Sequence, residues 1–243
     1  MTANADHNPQ DEAKQKLRQW LMSDELREYM VRAKEAKRTL DRLGPHITIS
    51  RQAGAGGREL ALQVARTLNW DVLDREFLDF MAERYQLPRH GLEFVDETQT
   101  NWIDDIFGSW FNARVVSHQK YLVHLERLIW LAAVHGRVIF VGRGAQFILP
   151  KGQGLSVRVT ANLEDQIARM LERGVPTREA AIARIKKVDE QRRVFIRQYF
   201  QKDIDDLSLY DLTLDTSELG IEGAAEKVLK AYEQRHGAVT KQS

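Results

Sequence analysis

Between His46 and Leu60 a short β-branched run, Ile47-Thr48-Ile49-Ser50, enters a glycine cluster at Gly54, Gly56 and Gly57 and leaves in a helical pattern. Glycines at three of four positions let the backbone take positive φ and turn several N–H groups toward one point. The following helix adds the positive end of its dipole there. The chemistry this suits is the holding of an anion, most naturally a nucleotide phosphate. A flexible turn that binds nothing would also use glycine, but the order of strand, glycines and amphipathic helix favours a phosphate loop.

A second charged element lies far along the chain, where Arg184, Lys186, Lys187, Arg192, Arg193, Arg197 and Lys202 crowd one helical segment. At 100° per residue, Lys186, Arg193 and Arg197 fall within about 40° of one another. Ile182, Ile185, Val188, Phe195, Ile196 and Tyr199 form the adjoining apolar face. Asp189 stands four residues before Arg193 and is placed to orient it. A charge run usually marks a solvated face. Here it also suits a lid, because phosphoryl transfer depends on positioning, on neutralising charge spread over the transferred oxygens and on excluding water.

The loop does not meet the pattern G-x-x-x-x-G-K-[ST]. Arg51 stands where the first glycine belongs, Gly57 where the lysine belongs and Arg58 where the hydroxyl belongs. The rest of the composition narrows the field. The 243 residues suffice for one α/β domain and an appendage. With 36 Lys+Arg against 35 Asp+Glu, the overall charge makes no case for nucleic acid or membrane as partner. Cysteine is absent, so disulfides and thiolate metal sites are excluded. No run of about 18 apolar residues occurs, and a soluble, cytoplasmic protein is expected.

The elements that must position these groups follow in order. Residues 1–45 read as a polar start and a charged helical arm, which offers a contact for a homodimer, and Gly44-Pro45 stops it. Ile47–Ser50 reads as a first strand and Leu60, Ala61, Val64, Ala65 and Leu68 as the buried face of the helix after the loop. Asn69–Asp74 reads as a second strand, with a helix resuming at Arg75. The stretch 86–112, carrying Trp102 and Trp110, reads as an irregular insertion or flap, and Val115–Val134 as a long amphipathic helix. Arg137–Val141 is the most apolar strand, expected at the centre of a parallel sheet and ending in Gly142-Arg143-Gly144, where such sheets place ligands. Leu155–Thr160 is the next strand. Asn162 and Thr177 cap the two helices that follow, and Tyr210–Asp215 is the last strand before a closing helix.

These motifs together resemble the cytidylate kinase-like group of P-loop nucleoside monophosphate kinases, from about residue 46 to 233. Ile47-Thr48-Ile49 with Gly54-Ala55-Gly56 resembles that group's phosphate loop. Arg51-Gln52 with Gly56-Gly57-Arg58-Glu59 resembles a variant of it without the lysine. Gly142-Arg143 resembles the G-R-D that ends a central strand, with Gly144 in place of the acid. Asp74-Arg75 keeps only the Asp of an acceptor-binding turn, and Lys187, Asp189, Arg192 and Arg193 resemble the lid motif. Tyr210–Ser217 resembles the last strand and its turn.

The resemblance implies a three-layer α/β P-loop kinase fold with a parallel sheet, a helical lid near 184–207, a kinase domain over 46–235 and a flexible tail over 236–243. It implies transfer of the γ-phosphoryl group of ATP, with Mg²⁺, to a nucleoside monophosphate, CMP or dCMP first. Gly54, Ala55, Gly56, Gly57, Arg58 and Glu59 would hold ATP, with Arg169 along the adenine. Asp74, Arg75 and Arg143 would hold the acceptor. Arg58, Arg192 and Arg193 would act on the transferring group, with Asp189 orienting the arginines and no magnesium ligand singled out. Two other readings stay open. One is a nucleotide sensor that binds without turnover. The other is a dinucleotide-binding Rossmann enzyme, since Gly54-Ala55-Gly56 and Asp74 imitate half of that fingerprint.

Overall fold

The computed structural model describes residues 43–75 and 128–237, with Phe77, Leu122, Leu125 and Glu126 besides. The N-terminal arm up to residue 42, the 86–112 stretch and the tail beyond Gly237 lie outside the described residues. The chain divides into two compact units, Met1–Gly44 with Glu76–Gly136, and Pro45–Arg75 with Arg137–Ser243. In the first, residues 128–135 are helical, and Gly44 N–H donates to Ala133 O at 2.9 Å.

The second unit is built on a parallel sheet of β1 (His46–Arg51), β2 (Asp71–Asp74), β3 (Val138–Val141), β4 (Leu155–Thr160) and β5 (Leu212–Asp215). Its order is β2-β3-β1-β4-β5. Thus β1, which carries the glycine loop, is the middle strand, and β3 is its inner neighbour rather than the centre. Hydropathy records that β3 is buried along its whole length, but it does not rank two inner strands. All pairings are parallel, which requires crossover connections and explains the alternation of strand and helix along the sequence.

Alternation along the strands divides the two faces. Ile47 and Ile49 of β1, Ile139 and Val141 of β3, and Leu155, Val157 and Val159 of β4 pack with α1 (Gly57–Leu68) and the last helix. Leu60 and Val64 are completely buried there, each contributing roughly 1.5–3 kcal/mol. The opposite face carries Thr48, Ser50 and Arg158, all buried. Asn69 closes α1 in the left-handed region at φ 55°, so β2 begins at Asp71 and not at Asn69. Trp70 is left to pack edge-on against Tyr232, with ring centroids 5.1 Å apart.

A one-turn helix, α2 (Ala145–Ile148), follows β3, and α3 (Leu163–Glu172) follows β4. Asn162 caps α3 by accepting from Asp165 N–H, as its position in the sequence suggests. Thr177 caps α4 (Arg178–Phe200) by accepting from Ala180 N–H. The expected lid therefore lies on one helix of 23 residues, all but its first turns, followed by a short descent to β5. The closing helix α5 (Thr216–His236) kinks at Gly220, whose φ is 65°.

Candidate functional site

The loop between β1 and α1 is held by its carbonyl groups. Arg169 Nη1 donates to Gly54 O at 3.0 Å, and Thr216 Oγ1 donates to Ala55 O at 2.9 Å. Gln52 Oε1 accepts from Ala161 N–H at 3.2 Å and from Gln166 Nε2 at 3.1 Å, fixing the start of the turn. Gly54 and Gly56 both sit at φ 74°. A Cβ on Gly54 would also stand 2.7 Å from Gln166 O, so that position requires glycine twice over. With the carbonyls tied back, the amides of Gly54, Gly56, Gly57 and Arg58 meet no acceptor among the described residues. Donors left open at the head of a 12-residue helix are what an anion would bind.

Beside the loop lies a cleft of about 510 Å³ whose lining includes Ser50, Arg51, Arg75, Gly142, Arg143, Arg192 and Phe195. Four arginines from four different places in the sequence meet there. Arg143 takes φ 56°, between Gly142 at 89° and Gly144 at 70°. A non-glycine residue in that region costs about 1–3 kcal/mol and points to a functional demand on its side chain. Its guanidinium lies 4.9 Å above the Phe195 ring. Arg192 Nη1 donates to Asp189 Oδ1 at 3.0 Å and to Arg51 O at 3.1 Å, while Asp189 Oδ1 accepts from Ala53 N–H at 2.8 Å. Helix α4 is thereby joined to the phosphate-type loop through one carboxylate. Burial pushes the Arg192 guanidinium below its ordinary value, and Asp189 opposes that shift.

Arg51, at the end of β1, carries its stem past Gly57 and its guanidinium past Gly142. Burial, then the neighbouring cations Arg192 and Arg75, push it down to about 9, against the pull of Asp74. It is still charged at neutral pH. Among the described residues its guanidinium meets no carboxylate partner.

Several other expected residues stand in different company. Arg58 is largely exposed and its Nε donates to Asp74 Oδ2 at 3.2 Å. Glu59 is ion-paired with Arg173 on the outside of α1. The expected Asp189–Arg193 pair is replaced by Asp189–Arg192. Arg193 Nε instead donates to Asp205 Oδ2 at 2.6 Å, because Gln201 ends α4 in the left-handed region and turns the chain back alongside it. That contact raises the Arg193 guanidinium above its ordinary value. Asp205 Oδ1 accepts at 2.7 Å from Arg158, which is almost fully buried and also donates to Ser50 Oγ at 2.9 Å. Arg169 lies against the loop and Thr216, and Lys187 is exposed.

Arg158 and Asp205 were not singled out by sequence, and Arg51, Gln52 and Thr216 were named only as parts of motifs, with no role in the site. For Arg51 a signal was present in the reciprocal exchange at the loop, an arginine in place of its first glycine and a glycine in place of its lysine. No cluster of three metal-ligating side chains occurs among the described residues. Arg58 stands where a hydroxyl could bind magnesium, and Asp74 is engaged by it. These residues do not fit a protein-built magnesium site.

The model of the cytidylate kinase-like family matches residues 46–218. The cytidylate kinase of Pyrobaculum aerophilum is 24% identical over 178 residues, covering 73% of this chain and 87% of its own length. That of Pyrobaculum islandicum is 27% identical over 182 residues, with the same shares covered. Among solved structures, an uncharacterized protein from Eubacterium ventriosum is similar in fold, with a TM-score of 0.63 and 24% identity over 78% of this chain and 98% of that one.

Proposed function

This chain belongs to the cytidylate kinase-like family, and on that premise we propose that it transfers the γ-phosphoryl group of ATP to a nucleoside monophosphate, with CMP or dCMP as the preferred acceptor. The observation that carries the proposal is the arginine-lined cleft joined to the open amides of the glycine loop through Asp189. A site that brings two phosphorylated reactants together must offset the repulsion between them, and positioning plus charge neutralisation supplies most of the catalysis.

The amides of Gly54, Gly56, Gly57 and Arg58 take the donor phosphates, and Arg169 lies toward the nucleoside side of the loop. Arg143 and Arg75 take the acceptor phosphate, and Arg192 covers the group in flight. Arg193, held by Asp205, fixes the descent from α4. An acceptor phosphate oxygen bonds to the γ-phosphorus as the bond to the β,γ-bridging oxygen breaks. The electron pair leaves with ADP, and the product is a nucleoside diphosphate. ATP brings Mg²⁺ on its own phosphate oxygens, and no step is assigned to the ion. The cytidylate kinases among its relatives support a cytidine acceptor.

A coupled assay of ADP release with ATP and each common ribo- and deoxyribonucleoside monophosphate tests this. CMP or dCMP should be turned over best, and Arg143→Ala should raise the acceptor KM by roughly 10- to 100-fold, the worth of a charge-assisted hydrogen bond. Stabilisation by nucleotides with no turnover of any acceptor would show a binding protein instead.

A further inference from the structure

We propose that Arg51 supplies the phosphate-loop cation that is missing at Gly57, reaching the terminal phosphates of the donor from the opposite end of the loop. The inference rests on the proposed function for the identity of the donor.

Gly57 opens α1 and is not among the residues with positive φ, so backbone conformation gives no reason for glycine there. A Cβ at that position would stand 2.7 Å from Arg51 Cβ and 2.9 Å from its Cγ. Gly57 is therefore glycine because the stem of Arg51 occupies the space where a side chain would begin. Gly142, at the end of β3, would drive a Cβ into Arg51 Nη1. The two glycines form a channel, one for the stem and one for the guanidinium, and the channel delivers a cation into the cleft that Arg143 and Arg192 also line.

A side chain lodged this closely has few alternative rotamers, so its charge is pre-placed. Among the described residues its charged neighbours are the cations Arg75, Arg143 and Arg192 and the anion Asp74. Such a group is retained at a cost to the empty protein, and a polyanion in the cleft relieves that cost. Arg58, the other candidate for this role, already engages Asp74 and faces solvent. Arginine and lysine at positions 51 and 57 are thus alternatives that exclude each other sterically.

The test is calorimetric titration with the non-hydrolysable ATP analogue adenylyl imidodiphosphate, and separately with CMP. The proteins are wild type, Arg51→Ala, Gly57→Lys and the exchange variant Arg51→Gly/Gly57→Lys. Arg51→Ala should weaken the analogue by roughly 10- to 100-fold while leaving CMP within about twofold. Gly57→Lys alone should bind poorly because its side chain meets Arg51. The exchange variant should recover to within about tenfold of wild type, since it restores one cation and one gap. Removing an unpaired cation from a cationic cluster should leave the Tm of Arg51→Ala unchanged or raised.

Unchanged analogue affinity in Arg51→Ala, loss of CMP binding in its place, a lowered Tm, or an exchange variant no better than Gly57→Lys would each overturn the proposal. If the wild type transfers no phosphoryl group to any monophosphate, the functional reading fails by itself, and the analogue titration still decides the role of Arg51.

Discussion

At the scale of single residues, the site depends on which groups are tied up and which are left open. Gly54 and Ala55 surrender their carbonyls to Arg169 and Thr216, while the amides of Gly54, Gly56, Gly57 and Arg58 stay without an acceptor among the described residues. Asp189 is the most consequential of the tied groups, because one oxygen serves both Ala53 N–H and Arg192. Asp189→Ala should destabilise the protein by roughly 1–3 kcal/mol, as it strands a buried amide and a guanidinium together. Asp189→Asn should fall between the two, since an amide oxygen can still accept from Ala53 but carries no charge for Arg192. Urea denaturation of the three proteins measures the order. Gly54 and Gly56 were legible in the sequence because positive φ favours glycine at both, and Arg143 because it stands between two glycines at the end of an apolar strand. Asp189 was legible as an orienting group, but its partner was not. Both Arg192 and Arg193 lie within one helical turn of it, and the choice is made by Asp205, twelve residues beyond Arg193 and close to it only in the fold.

At the scale of elements, the sequence marks its own boundaries. Asn162 and Thr177 each stand before a helical run and accept from the amide three residues on. Thr177→Ala should cost about 1 kcal/mol, a typical loss for a helix N-cap, measurable as a lowered thermal midpoint. Because α4 begins at that cap and carries Asp189 and Arg192 to the loop, the same variant should also weaken nucleotide binding slightly. The strands were read correctly where apolar residues run together. They were misplaced at the edges, as at Asn69, where a left-handed cap and a buried Trp70 take residues that could equally have begun a strand. The lid is a different case. Its charge and its apolar seam are visible in sequence, whereas its docking on Arg51 O and Ala53 N–H depends on the end of β1 and its loop meeting a helix more than a hundred residues away.

At the scale of the molecule, a parallel sheet places β1 in the middle and gathers Arg51, Arg75, Arg143 and Arg192 at one cleft. Near-neutral overall charge conceals this concentration of cations, so composition could not locate the site. The fold was legible because the order of strand, glycine loop and helix admits few arrangements once crossovers are right-handed. The acceptor was not, because four guanidinium groups recognise phosphate and say little about the base. The central claim is that this cleft moves a phosphoryl group between nucleotides. Incubating the protein with ATP labelled at the γ-phosphorus and with CMP tests it most directly. The account predicts label in the β-phosphate of CDP, with unlabelled ADP released in equal amount. Label found only in inorganic phosphate, or retained wholly in ATP for every monophosphate offered, would contradict it.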